Sequence, residues 1–186
     1  KTLFYGQYIR SNSYFSNSEL ASSGLPTNAE LKIIEQLNND FPKEILKEVY
    51  NPGKTDGSGN NRNNLRQAMQ ILKKANYKLD NKILTDPEGR EIKFEILLIS
   101  PAFERIVGPF IKNLKKLGVE ASIRIVDTAQ YKNRLDNYEF DMVVMARGQS
   151  LNPGNEQRNF WSSKSADING SANWIGIKNK TVDELI

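Results

Sequence analysis

Between residues 92 and 145 the hydropathy pattern changes period four times, and that alternation constrains the fold more than any other feature. Residues 92–99 end in a continuous apolar run, Phe94-Glu-Ile-Leu-Leu-Ile99, as expected of a strand covered on both faces. In residues 104–117, Ile106, Val107, Phe110, Ile111, Leu114 and Leu117 recur at helical spacing, and Gly118 follows as a stop. Pro109 inside this stretch implies a kink or a later helix start. Residues 119–126 alternate Val119, Ala121, Ile123 and Ile125 as a strand. Thr128 is placed to cap a helix reaching about Leu135, and Phe140-Asp-Met-Val-Val-Met145 reads as another buried strand. Strands alternating with helices predict a mainly parallel sheet flanked by helices, an α/β fold. Ligands in such folds bind beyond the carboxyl ends of the strands. Residues 100–105, 127–131 and 146–158 fall there.

The flanking regions are less regular. The first 25 residues are polar and aromatic, with Tyr5, Tyr8, Tyr14 and Phe15 among Ser and Asn. They read as an irregular segment whose tyrosines pack on another surface. Thr27 and Glu30 have capping-box spacing, with Leu31, Ile34 and Leu37 on the helix that follows, Phe41-Pro42 as its end, and a further turn around Ile45, Leu46 and Val49. Residues 51–64 are a turn-rich loop. Gly57-Ser58-Gly59 has neither the Gly-Lys-Ser/Thr ending of a phosphate loop nor the third glycine of a dinucleotide fold. Residues 62–76 read as an amphipathic helix stopped by Asn76, and this helix and the one at 104–117 are expected to pack on the sheet. Residues 82–85 and 91–99 read as two strands joined by a type I turn at Asp86-Pro-Glu-Gly89. Residues 162–173 read as loop. The last six residues, Thr181 to Ile186, read as the start of a helix, so the sequence is expected to be a fragment of a longer protein. Residues 1–61 are expected to pack on the rest of that protein, and residues 62–186 to form a ligand-binding lobe.

Composition narrows the chemistry. The 186 residues contain no cysteine and no histidine. Thiol nucleophiles, Ser-His-Asp triads and thiolate or imidazole metal sites are therefore excluded within this chain. Carboxylate pairs such as Asp136 with Glu139 or Asp183 with Glu184 read as solvated charges. No catalytic residue, cofactor or metal site is expected. With 38% hydrophobic residues the chain can bury a core. The net charge of +4 is small and interleaved, which argues against nucleic-acid binding.

The most unusual segment is Arg147-Gly-Gln-Ser-Leu-Asn-Pro-Gly-Asn-Glu-Gln-Arg158, rich in amides and guanidinium groups. Arg147 and Arg158 suit an anionic group. Gln149, Ser150 and Asn155 can bond a peptide backbone, Glu156 can meet an amine, and Trp174 can stack on a ligand. Phe103 follows a strand end. The alternative for each is internal packing or pairing.

Several motifs resemble those of known proteins. Arg66-Gln-Ala-Met-Gln-Ile-Leu-Lys-Lys-Ala-Asn-Tyr77, Phe110-Ile-Lys-Asn-Leu-Lys-Lys-Leu-Gly-Val119, Phe140-Asp-Met-Val-Val144 and residues 173–186 resemble the C-terminal lobe of oligopeptide-binding proteins of ABC importers, extracellular solute-binding family 5. Leu3-Phe-Tyr-Gly-Gln-Tyr8, Ser100-Pro-Ala-Phe-Glu-Arg105, Val126-Asp-Thr-Ala-Gln-Tyr131 and Gly148 to Arg158 are similar to the YejA-type branch. The resemblance implies a lobe of the type II periplasmic-binding-protein fold, a peptide or peptide-like ligand, an ABC permease as partner, a monomer, and a periplasmic location. Many relatives carry Trp then Asp after the strand that ends at the cleft, the Asp pairing with the peptide amino terminus. Here no carboxylate occurs until Glu156. A stand-alone interaction module without a transport role is the alternative.

Overall fold

The structure, a computed structural model, describes residues 4–16, 18–37, 41–51 and 53–186. Readings that touch residues 1–3, 17, 38–40 and 52, including the start of the motif at Leu3 and parts of the irregular segment and the turn-rich loop, lie outside the described residues. The chain packs as two compact units. The first comprises Lys1–Ile9, Gly53–Arg134 and Glu139–Ala146; the second comprises Arg10–Pro52, Leu135–Tyr138 and Arg147–Ile186.

The first unit holds the parallel sheet. Strand β3 (Lys93–Leu98) lies between β4 (Glu120–Ile125) and β5 (Met142–Val143), parallel to both. The apolar run is the heart of it: Ile96, Leu97 and Leu98 are each 1% exposed, as a central strand covered on both faces requires. Helix α3 (Glu104–Lys116) packs on this sheet, and its Val107 joins Ile96 and Leu98 in the core, with Ile111, Ile123, Phe94 and Val144 around them. The helix runs unbroken through Pro109. It ends in a Schellman arrangement, in which Val119 N–H bonds Leu114 O and Gly118 N–H bonds Lys115 O. Gly118 has φ +82°, and an added Cβ would stand 2.8 Å from Leu84 N. Only glycine fits there. Helix α2 (Arg62–Lys74) ends the same way at Asn76, φ +65°, with Tyr77 N–H on Leu72 O.

Four expectations are corrected in this unit. The strand at 82–85 pairs chiefly with a strand that the sequence did not reveal. Strand β1 (Lys78–Asp80) runs antiparallel to β2 (Ile83–Thr85), and β2 meets the segment after the turn through the bridge Thr85–Glu91 and the bond from Ile92 N–H to Leu84 O. β1 is exposed at all three positions, so it has no apolar alternation to read. Helix α2 was expected on the sheet, yet none of its residues is buried. Helix α4 (Thr128–Asp136) is capped by Asp127, whose Oδ1 accepts the Gln130 N–H, and not by Thr128. Strand β5 is two residues long, not six. Asp141 Oδ2 accepts Glu95 N–H before it and Tyr131 Oη donates to Val144 O after it, so side chains replace the strand ladder at both ends.

In the second unit, α1 (Asn28–Ile34) begins with the full Thr27–Glu30 capping box. It ends at Ile34, seven residues before Phe41, and a 3-10 turn spans Lys43–Leu46. The residues expected as loop after the polar segment are partly helical. Helix α5 (Glu156–Trp161) is followed by a 3-10 helix at Ser163–Asp167, capped by Ser162. Helix α6 (Lys180–Leu185) is capped by the Asn179 side chain.

Candidate functional site

The polar segment that leaves β5 turns in the second unit and enters α5. Glu156 shapes the turn: its Oε1 accepts the Gly154 N–H at 2.9 Å and lies within reach of Ser150 Oγ and Gln157 Nε2. The Gly154 N–H, foremost among these donors, holds the carboxyl below its ordinary pKa, because each bond favours the charged form. Ser150 Oγ also donates to Asn152 O.

Arg147, at the root of the loop, is enclosed by aromatic rings. Its guanidinium carbon stands 4.5 Å from the Phe160 centroid, 4.8 Å from Trp161 and 4.7 Å from Trp174. Nη2 donates to Ala172 O, and Nη1 is buried without a hydrogen-bond partner among the described residues. Burial pushes the guanidinium's pKa down, with Tyr14 opposing the shift, and arginine's basicity keeps it charged at neutral pH. Cation–π attraction to three ring faces replaces the carboxylate that a half-buried arginine usually finds.

Beside this cage lies a closed set of side-chain bonds. Tyr14 Oη accepts from Gln149 Nε2 and from Trp161 Nε1, and donates to Gln157 Oε1 at 3.3 Å. Gln157 Nε2 in turn donates to Gln149 Oε1 at 2.8 Å. Trp174 is held by its neighbour: Asn173, fully buried, donates from Nδ2 to Ser162 O and Ile177 O and accepts the Ile177 N–H at Oδ1, each at 3.0 Å.

The structure thus brings Arg147, Gln149, Ser150, Glu156 and Trp174 into one cluster. Arg158 is exposed and bonds Ile186 O instead of facing Arg147. Asn155 precedes α5 without a side-chain cap bond and is exposed. Phe103, 37% exposed, lies in the first unit, in a 3-10 turn just beyond the carboxyl end of β3. Five members of the cluster were missed, Phe160 and Trp161 of the cage among them. Gln157 sat unremarked inside the amide-rich segment. Asn173 gave no local signal beyond its polarity. Tyr14 was expected to pack apart from the chain's own polar segment, yet it bonds Gln149, 135 residues away. Among the described residues no group of acidic residues could hold a metal ion, and no helix is long and apolar enough to cross a membrane.

The parallel sheet flanked by helices is the fold of a type II periplasmic-binding-protein lobe. The oligopeptide-binding protein AppA from Bacillus subtilis, solved with a nonapeptide, superposes on 64% of this chain with a TM-score of 0.55 and 26% identity, using 24% of its own length. Residues 1–169 match the family described as bacterial extracellular solute-binding proteins, family 5 Middle, and the chain belongs to that family. Among relatives, the "Probable peptide-binding protein YejA" of Agrobacterium fabrum is 43% identical over the whole chain. The "Peptidoglycan-binding protein YepA" of the same organism is 36% identical, again over the whole chain. The chain spans about 30% of the length of each. Membership places the chain among the solute-binding proteins of that family.

Proposed function

We propose that this chain is part of the solute-binding component of an ABC importer that takes peptides or peptide-like compounds outside the cytoplasm, in the periplasm of a Gram-negative cell, and hands them to a membrane permease. The observation that carries the reading is the 43% identity along the entire chain to a protein named as peptide-binding. The loop chemistry supports it. Gln149, Ser150 and Asn155 offer the donors and acceptors that an extended peptide backbone needs, Glu156 is held ionised for an amine, and Trp174 offers a ring to a side chain. Arg158 is the exposed guanidinium for a carboxylate, and Phe103 adds an apolar contact. Arg147 serves this site by fixing the root of the loop. The protein acts as a monomer in this reading.

The test is calorimetric titration of the whole, ligand-stripped protein with short peptides, wild type against Arg158→Ala and Trp174→Ala. Each substitution is expected to weaken binding, Arg158→Ala by about 1.5–3 kcal/mol, the range for hydrogen bonds to charged groups. If both variants bind as wild type, the loop is structural and the ligand is held elsewhere.

A further inference from the structure

Tyr14, Gln157 and Gln149 donate to one another around a closed ring. Tyr14 Oη donates to Gln157 Oε1 at 3.3 Å, Gln157 Nε2 to Gln149 Oε1 at 2.8 Å, and Gln149 Nε2 back to Tyr14 Oη. Each group is donor and acceptor at once, so the three bonds polarise one another in a single direction. A phenol and two carboxamides can form such a ring in either direction, because turning over both amides exchanges every donor with its acceptor.

One neighbour decides between the two. Trp161 Nε1 donates to Tyr14 Oη at 3.1 Å and fits both directions. Glu156 fits only one. Its Oε1 stands 3.5 Å from Gln157 Nε2, and a carboxylate only accepts. Reversal would turn the Gln157 oxygen toward that carboxylate. What the ring leaves over on Gln149 is then defined. A carboxamide has two N–H donors and two lone pairs, and the ring takes one of each. A peptide group also has its donor and acceptor at fixed ends, so it fits only one sense of the Gln149 amide.

We infer that Tyr14 and Gln157 are positioning residues which, with the carboxylate of Glu156, hold the Gln149 amide in one sense, so that its Oε1 accepts a peptide N–H of the ligand. The inference rests on the proposed role of Gln149 against a peptide backbone. The hydroxyl of Tyr14 does this work and not its ring, which packs edge-on against Trp161 with centroids 5.3 Å apart and would do the same as phenylalanine.

The test is calorimetric titration of the whole, ligand-stripped protein with alanyl-alanyl-alanine, which presents backbone groups and little else. Two analogues, each with one peptide N–H replaced by an ester oxygen, are titrated beside it. In the wild type one analogue should bind about ten-fold more weakly than the peptide, because its ester oxygen meets the fixed Gln149 Oε1 where an N–H should be. In Tyr14→Phe the Gln149 amide is free to turn an N–H toward the ester, and the penalty should fall to about two-fold or less. Glu156→Gln, whose amide suits either direction of the ring, should lower the penalty in the same way. Tyr14 is 45% exposed, so the phenylalanine variant folds, and melting curves check both variants. A role in packing alone would weaken peptide and analogues by one common factor and leave their ratio as it is. An ester penalty absent from the wild type, or unchanged in Tyr14→Phe, would overturn the inference and leave peptide binding standing. No binding of the peptide by the wild type, or wild-type affinity in Gln149→Ala, would overturn the proposed role of the loop and the inference with it.

Discussion

Replacing Asn173 by Ala removes the polar contact that orders the segment behind Trp174, and the structure allows the loss to be worked bond by bond. Ser162 O keeps two other donors, Ser165 N–H and Ser165 Oγ, so losing Asn173 Nδ2 there costs about 0.5 kcal/mol, the low end for one net hydrogen bond. Ile177 N–H and Ile177 O both bond Asn173. Ile177 is half-buried, so water replaces these partners only in part, and about 1 kcal/mol each is expected. The truncated side chain leaves a hole at a fully buried position, adding on the order of 1 kcal/mol. The sum is about 3–4 kcal/mol. The assay is urea unfolding followed by tryptophan emission, since Trp161 and Trp174 both stand against Arg147 in this unit. Asn173→Asp separates the donors from the acceptor. It keeps the bond from Ile177 N–H but turns a carboxylate toward two carbonyls, so at neutral pH it should be at least as damaging as Ala. A loss below about 1 kcal/mol for Ala, or a well-tolerated Asp, would refute the reasoning that these three bonds hold the segment.

Gly118→Ala should destabilise the first unit by roughly 3 kcal/mol or more, since the left-handed backbone alone costs an L-residue about 1–2 kcal/mol and the new Cβ meets backbone at Leu84 N; thermal or urea unfolding measures it. The Glu156 carboxyl has a lowered pKa in the folded chain, so its contribution is present above the ordinary glutamate range and is lost as pH falls through the folded value. The protection factor of the Gly154 amide, referred to the intrinsic exchange rate at the same pH, should therefore fall on acidification in the wild type, and Glu156→Gln should remove that acid response.

The sheet was legible because its signals are local and strong. Phe94-Glu-Ile-Leu-Leu98 is too apolar for anything but a central strand, and the Val107–Ile111 face of α3 repeats at helical spacing. The Thr27 box was legible for the same reason, since its partners lie three residues apart. Neighbouring candidates could not be ranked: Asp127 and Thr128 both suit a cap, and only the turn's geometry gives it to Asp127. The length of β5 depends on Asp141 and Tyr131 reaching other segments, which no pattern within residues 140–145 records. Composition picked out the loop at 147–158, yet the setting of Arg147 depends on rings at 160, 161 and 174. Tyr14 reaches that cluster from the other end of the chain, a long-range contact without a periodic trace in sequence.

The central claim, that this chain belongs to a carrier of peptides, is tested most directly by what the whole protein holds when purified from its own cell envelope. Denaturing extraction followed by mass spectrometry of the released small molecules should yield peptides or peptide-like compounds in near-stoichiometric amount. Release of an oligosaccharide or a metal chelate in that amount, with no peptide, would contradict the account.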